Sequence, residues 1–145
     1  MKIEDIKNEW QKDSVINQYK VSDELVRIPL LHSKYLEFII EYRSKRAMMV
    51  KKINNLKNFK RRYYRGELSF QELKDNDLQQ WQHLKPSNTE LNSLFEQDFE
   101  LNELNEKLEY YETGLSVVEL IIRSLQTRGY ELKTLTDWVK FQAGA

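Results

Sequence analysis

Cysteine is absent from this 145-residue chain. Its absence excludes disulfides, thiolate chemistry and cysteine-based metal sites, and fits a reducing interior. Glycine (4) and proline (2) are scarce. A β-sandwich or a nucleotide-binding α/β domain needs many tight turns, and this chain has few residues to make them. No apolar run approaches the roughly 20 residues of a membrane span. The opening segment MKIEDIKNEWQKD reads as an amphipathic polar helix rather than a signal peptide. No GxxxxGK[ST], GxGxxG or GxSxG pattern occurs, so nucleotide hydrolysis is unsupported. His32 and His83 lie far apart in the chain, and no short-spaced carboxylate cluster completes a metal site around either. Acid pairs such as Glu103 and Glu106 are common on any acidic helix. The residues offer no catalytic group, no metal site and no cofactor site, which points away from an enzyme.

What the chain does have is segregated charge. Lys and Arg number 23, Asp and Glu 23, for a formal net charge of 0. Residues 43–65 nonetheless hold ten basic residues and no acidic one, and residues 67–112 hold twelve acidic against three basic. Solvated helices ordinarily interleave Glu with Lys. A long acid-free run repels itself unless phosphates neutralise it. Arg43, Lys45, Arg46, Lys51, Lys52, Lys57, Lys60, Arg61, Arg62 and Arg65 are therefore candidate phosphate contacts. Tyr64, off the helical seam and inside the densest basic group, is a candidate for stacking a base, which favours single-stranded nucleic acid. Its competing role is a lid on the following connector. No helix-turn-helix signature or major-groove reading set occurs, so binding without sequence preference is expected. The acidic run of Glu96, Asp98, Glu100, Glu103, Glu106, Glu109 and Glu112 reads as a solvated face, a docking face for a basic protein, or a brake on the basic face.

Periodicity predicts an all-α protein: a long antiparallel helical hairpin with short N-terminal and C-terminal helices in a single domain. Ile3, Ile6 and Trp10 mark a helix over 2–13, and Ser22 is a plausible N-cap for the next. Ile28, His32, Tyr35, Ile39, Tyr42, Arg46, Met49, Ile53, Leu56, Lys60 and Tyr63 keep a 4,3 spacing up to Gly66, a natural stop. Pro29 either kinks this helix or lies near its true start. Thus 1–66 holds the N-terminal helix and the basic rod, and 67–86 is a connector. Ser69 and Glu72 cap a short helix in it, and Leu78, Trp81 and Leu84 suggest another. Ser87 and Glu90 open a second long helix over 87–128. Gly114 lies inside it, permitting close helix contact or marking a bend. Arg128–Gly129 reads as its end, with a last helix over 130–143. Two packed rods leave apolar stripes uncovered, so a homo-oligomer is expected through Leu115, Val118, Ile122, Leu125, Leu132, Leu135, Trp138, Val139 and Phe141.

Three segments carry a resemblance: the opening MKIEDIKNEWQKD, LKNFKRRYYRG at 56–66, and the tail with SLQTRGYELK at 124–133 and DWVKFQAG at 137–144. Together, in this order, they resemble the UvsY family of recombination mediators from T4-like phages. The resemblance implies a non-enzymatic protein of the host cell cytoplasm, without membrane association. Its implied partners are single-stranded DNA, a phage RecA-like recombinase, the phage single-stranded-DNA-binding protein, and further copies of itself in a ring-like homo-hexamer or homo-heptamer. The family's DNA-contacting basic residues lie just before the paired tyrosines. Lys60 matches that pattern, while Asn58 stands where a basic residue is expected. The second functional class is a structural helical scaffold or adaptor, whose charged rods satisfy each other and whose nucleic-acid affinity is incidental.

Overall fold

The computed structural model describes residues 1–144. Among them every regular element is an α-helix: α1 (Ile3–Asp13), α2 (Val21–Tyr64), α3 (Phe70–Asp75), α4 (Asn88–Glu96) and α5 (Phe99–Gln142). The chain divides into two compact units. One comprises Met1–Ser44 with Tyr111–Ala145, the other Lys45–Tyr110. The long helices α2 and α5 contribute to both.

In the first unit, α1 covers the stripe left open where the first half of α2 packs on the second half of α5. Ile6, fully buried, meets Leu31, Tyr35, Ile39, Tyr42, Val118, Ile121, Ile122 and Leu125. Burying one such aliphatic side chain contributes about 1.5–3 kcal/mol, enough to seat a short helix that would not form alone. The helices run antiparallel. Tyr42 meets Tyr111 at 6.0 Å, while Arg27 and Arg128 both donate to the Asp13 carbonyl, at 2.8 and 3.2 Å. Polar groups fasten α1 further. Lys34 donates to Glu9 at 2.7 Å and Asp13 at 2.6 Å, and the Tyr35 hydroxyl donates to Asp13 at 2.9 Å. Burial alone would raise the Asp13 pKa, but these donors more than offset it and hold the carboxyl below its ordinary value. Burial and the Asp13 carboxylate together push the Tyr35 phenol up.

Gly114 provides close contact. A Cβ there would lie 2.7 Å from Tyr42 Cδ1, 2.9 Å from Cζ and closer still to Cε1. Arg128 and Gly129 do not end a helix; α5 passes through both. Arg128, 3% exposed, instead reaches back to the Asp13 and Ser14 carbonyls at the end of α1, with its guanidinium 5.2 Å from the Trp10 ring centre. The expected pair of helices, 87–128 and 130–143, is thus divided elsewhere: α4 closes at Glu96 and α5 opens at Phe99. Asp98 makes that break. Its side chain accepts from the Leu101 amide at 3.0 Å, as an N-cap does. Ser22 likewise lies inside α2 rather than capping it, and so does Pro29, on an exposed face.

In the second unit, the later half of α2 packs with α4 and the start of α5. Ile53, Leu91, Phe95 and Leu101 are buried together, with Leu56, Tyr64, Leu104 and Leu108 against them. Both capping boxes form, Ser69 with Glu72 and Ser87 with Glu90. Gly66 ends α2 at φ +69°, with its amide on Tyr63 O at 3.1 Å and the Glu67 amide on Arg62 O at 2.9 Å, the Schellman pattern. The helix expected around Leu78, Trp81 and Leu84 does not form. Asp77, at φ 55°, turns the chain out of helix, and Leu84 is 92% exposed.

Candidate nucleic-acid interface

Most of the basic run lies on the last six turns of α2, where helical spacing sorts it into faces. Met49, Ile53, Leu56 and Lys60 form the inward row. Lys51, Asn55, Asn58, Arg62 and Arg65 follow i, i+4, i+7, i+11 and i+14 on the outward ridge, and all five are exposed. At 1.5 Å per residue the ridge spans about 21 Å. Lys52 is exposed on one flank; Lys57, half-buried, and Arg61 lie on the other.

The ten cations differ in what holds them. Among the described residues, Lys51, Lys52, Lys57 and Arg65 have no carboxylate partner. Arg61 donates to Asn58 Oδ1 at 2.8 Å and stands 5.8 Å from the Phe95 ring centre, so its charge is not neutralised. Arg62 binds Glu72 at 2.8 Å, and Arg43 stands 3.8 Å from Glu119. Lys45 and Arg46 are engaged by neighbours within the chain. Lys60 is the most committed. It is turned inward and binds Asp98 at 2.6 Å with Glu100 at 3.8 Å, its side chain only 18% exposed. Burial would raise the Asp98 pKa, but the Lys60 and Leu101 hydrogen bonds outweigh it and hold the carboxyl low. A phosphate could take Lys60 only by displacing a charge-assisted bond.

Tyr64 is half-buried rather than presented to solvent. Its ring meets Trp81 edge-on at 4.7 Å and Tyr63 at 5.4 Å, while Trp81 also contacts His83 at 4.8 Å. Burial raises the Tyr64 hydroxyl pKa, with Lys60 opposing. Tyr63 donates its hydroxyl to Gln79 O at 2.8 Å. The two tyrosines thereby pin the non-helical connector onto the end of α2. Phe59, Trp81 and Asn55 join this surface without a charge to mark them, and Asn58 does so where a basic residue is expected. The signal for the amides was their spacing with Lys51, Arg62 and Arg65.

Of the expected oligomerisation residues, Val118, Ile122 and Leu125 lie in the first unit's own core, and Leu132 is buried. Leu115 and Leu135 are half-buried, and Trp138, Val139 and Phe141 are exposed at 56%, 46% and 70%. Among the described residues no cluster could hold a metal ion, and no helix is long and apolar enough to cross a membrane.

The family model described as "Recombination, repair and ssDNA binding protein UvsY" matches residues 9–145. The chain belongs to the UvsY family. No curated protein sequence matches it. Its fold is that of the bacteriophage T4 recombination mediator protein UvsY. One crystal form of that protein superposes with a TM-score of 0.82 at 20% identity, covering 99% of this chain and 98% of the other. A second gives 0.81 at 18% identity, over 95% and 98%. UvsY-family membership makes this a phage protein of recombination, repair and single-stranded-DNA binding.

Proposed function

We propose that this protein is a recombination mediator that holds single-stranded DNA without sequence preference along the outer face of α2. The observation that carries the reading is the exposed acid-free run, in which Lys51, Lys52, Lys57, Arg61 and Arg65 keep their charge available and Arg62 is held only by an exposed pair. Lys60, bound to Asp98, acts as a brace for the site rather than a first phosphate contact. Tyr64 braces the connector. Arg43, beside Glu119, and Lys45 and Arg46, engaged within the chain, are secondary contacts. Copies associate into a ring-like homo-oligomer through the exposed end of α5 at Trp138, Val139 and Phe141. Several copies of a weak basic face on one strand then give tight binding through effective concentration. A strand wrapped over such copies is bent and partly unstacked. That disfavours a cooperative single-stranded-DNA-binding protein and offers a RecA-like recombinase a prepared template. Family membership, the fold shared with the T4 mediator and the charge pattern support this reading.

The test is anisotropy of labelled oligo-dT from low to high salt, with mass followed by light scattering. The variants are wild type and Lys51→Ala/Lys57→Ala/Arg61→Ala/Arg65→Ala. Tight binding with a steep salt dependence, lost in a variant of unchanged mass, is expected. Equal binding by both would move the path off this face. No binding by either would leave the scaffold reading, which the pairs Arg43–Glu119, Lys60–Asp98 and Arg62–Glu72 favour.

A further inference from the structure

A cavity of about 550 Å³ opens beside the ridge within the second unit, lined by Asn55, Leu56, Phe59, Lys60, Tyr63, Tyr64, Asn76, Leu78 and Glu100. Its walls combine three aromatic rings, two leucines, two carboxamides, one lysine and the Glu100 carboxylate. That lysine is already neutralised, bound to Asp98 at 2.6 Å with Glu100 at 3.8 Å. The cavity therefore offers an anion no free cation, while the ridge just outside it offers several. A phosphate belongs on the ridge. A neutral, flat group with donors and acceptors on its edge belongs in the cavity.

We propose that this cavity receives one unstacked base of the bound strand. The inference rests on the single-stranded-DNA reading and deepens it by separating where phosphates and bases go. Asn55 joins the two places, since it is exposed on the ridge row and also lines the cavity. Two of the three rings are held before any ligand arrives: Tyr63 by its hydroxyl on Gln79 O, Tyr64 by Trp81. Preorganised walls lose little freedom on binding. Asn55 offers two donors and an acceptor; Asn76 commits one donor to the Glu72 carbonyl at 2.8 Å and keeps one donor and its acceptor, so the pair can serve the edge of any base. Aromatic stacking is equally tolerant of sequence. The cavity thus strengthens binding without imposing a sequence.

The test compares fluorescein-labelled oligo-dT with an abasic oligomer of equal length and charge, by anisotropy on the full chain at matched salt. Wild type is set against Phe59→Leu and Asn76→Leu, with helix content and melting followed by circular dichroism. A second arm places 4-thiothymidine in the oligomer and maps photo-crosslinks by mass spectrometry. Wild type is expected to prefer oligo-dT over the abasic strand by about tenfold, from one stacked base. That ratio is expected to fall toward one in the folded variants, and crosslinks are expected at Phe59, Tyr63 or Tyr64. Equal affinity of wild type for both oligomers, an undiminished ratio in both variants, or crosslinks confined to other segments would overturn the proposal while leaving the backbone-binding reading intact. Failure of wild type to bind either oligomer in a salt-sensitive way would sink the underlying reading and this inference with it.

Discussion

Helix α5 carries two glycines, and the structure assigns opposite consequences to filling them. At Gly114 the added methyl of Gly114→Ala meets the Tyr42 ring well inside van der Waals contact. That ring cannot readily swing aside. It is 1% exposed, stands edge-on to Tyr111 at 6.0 Å and donates its hydroxyl to the Met1 carbonyl at 2.7 Å. Overpacking of this kind costs about 1–3 kcal/mol. The helix-propensity gain of Gly to Ala returns about 1 kcal/mol, which leaves a net loss of about 1 kcal/mol. At Gly129 a Cβ would have nothing within 4 Å. Gly129→Ala should therefore gain about 0.4–1 kcal/mol. Urea titration followed by circular dichroism, with m-values compared, reads both shifts. In a Tyr42→Leu background, where the ring is gone, Gly114→Ala should turn neutral or stabilising. If Gly114→Ala proves as stable as Gly129→Ala in the wild-type background, the close-contact argument is wrong.

Arg128→Ala should lower stability by about 1–3 kcal/mol by withdrawing a buried donor from the Asp13 and Ser14 carbonyls, measurable as a lower urea midpoint. Asp13 and Asp98 both have folded pKa values below their ordinary 3.8. Each therefore adds stability that is fully present above that value and lost as pH falls through the folded one. Urea midpoints should hold from neutral pH to about pH 5 and drop below about pH 4, with a shallower drop in Asp98→Asn. Glu72→Gln keeps the capping box but removes the charge that holds Arg62. Oligo-dT binding should tighten a few-fold at low salt and its salt slope should steepen by about one; an unchanged slope would show that Arg62 does not meet phosphate.

The helices were legible because so little in the chain interrupts them, and because Ser69, Ser87 and Gly66 carry local signals that need no distant partner. Where the answer depended on tertiary contact, local pattern misled. Arg128–Gly129 has the composition of a helix end, yet the arginine's partners lie more than a hundred residues back, and Gly129 stays helical within a continuous rod. Leu78, Trp81 and Leu84 have helical spacing, but Trp81 is held by Tyr63 and Tyr64 instead. Asp98 passed as one acid among many, although it caps α5 and binds Lys60. The basic run was plain from composition. Which of its charges are already engaged was not, because that depends on Glu72, Asp98 and Glu119 arriving from distant parts of the chain.

The ring cluster around Trp81 has an optical consequence. Tyr63 and Tyr64 stand 6.0 and 4.7 Å from the indole, close enough for light absorbed by either phenol to be emitted by Trp81. Those two phenols also wall the cavity beside the ridge. Trp10 and Trp138, the other indoles, belong to the first unit. Trp10 has a donor of its own in Tyr35, at 5.6 Å, whereas Trp81 draws its transferred light from the cavity wall. A flat heterocycle seated against it would intercept the transfer and dim one indole of the three.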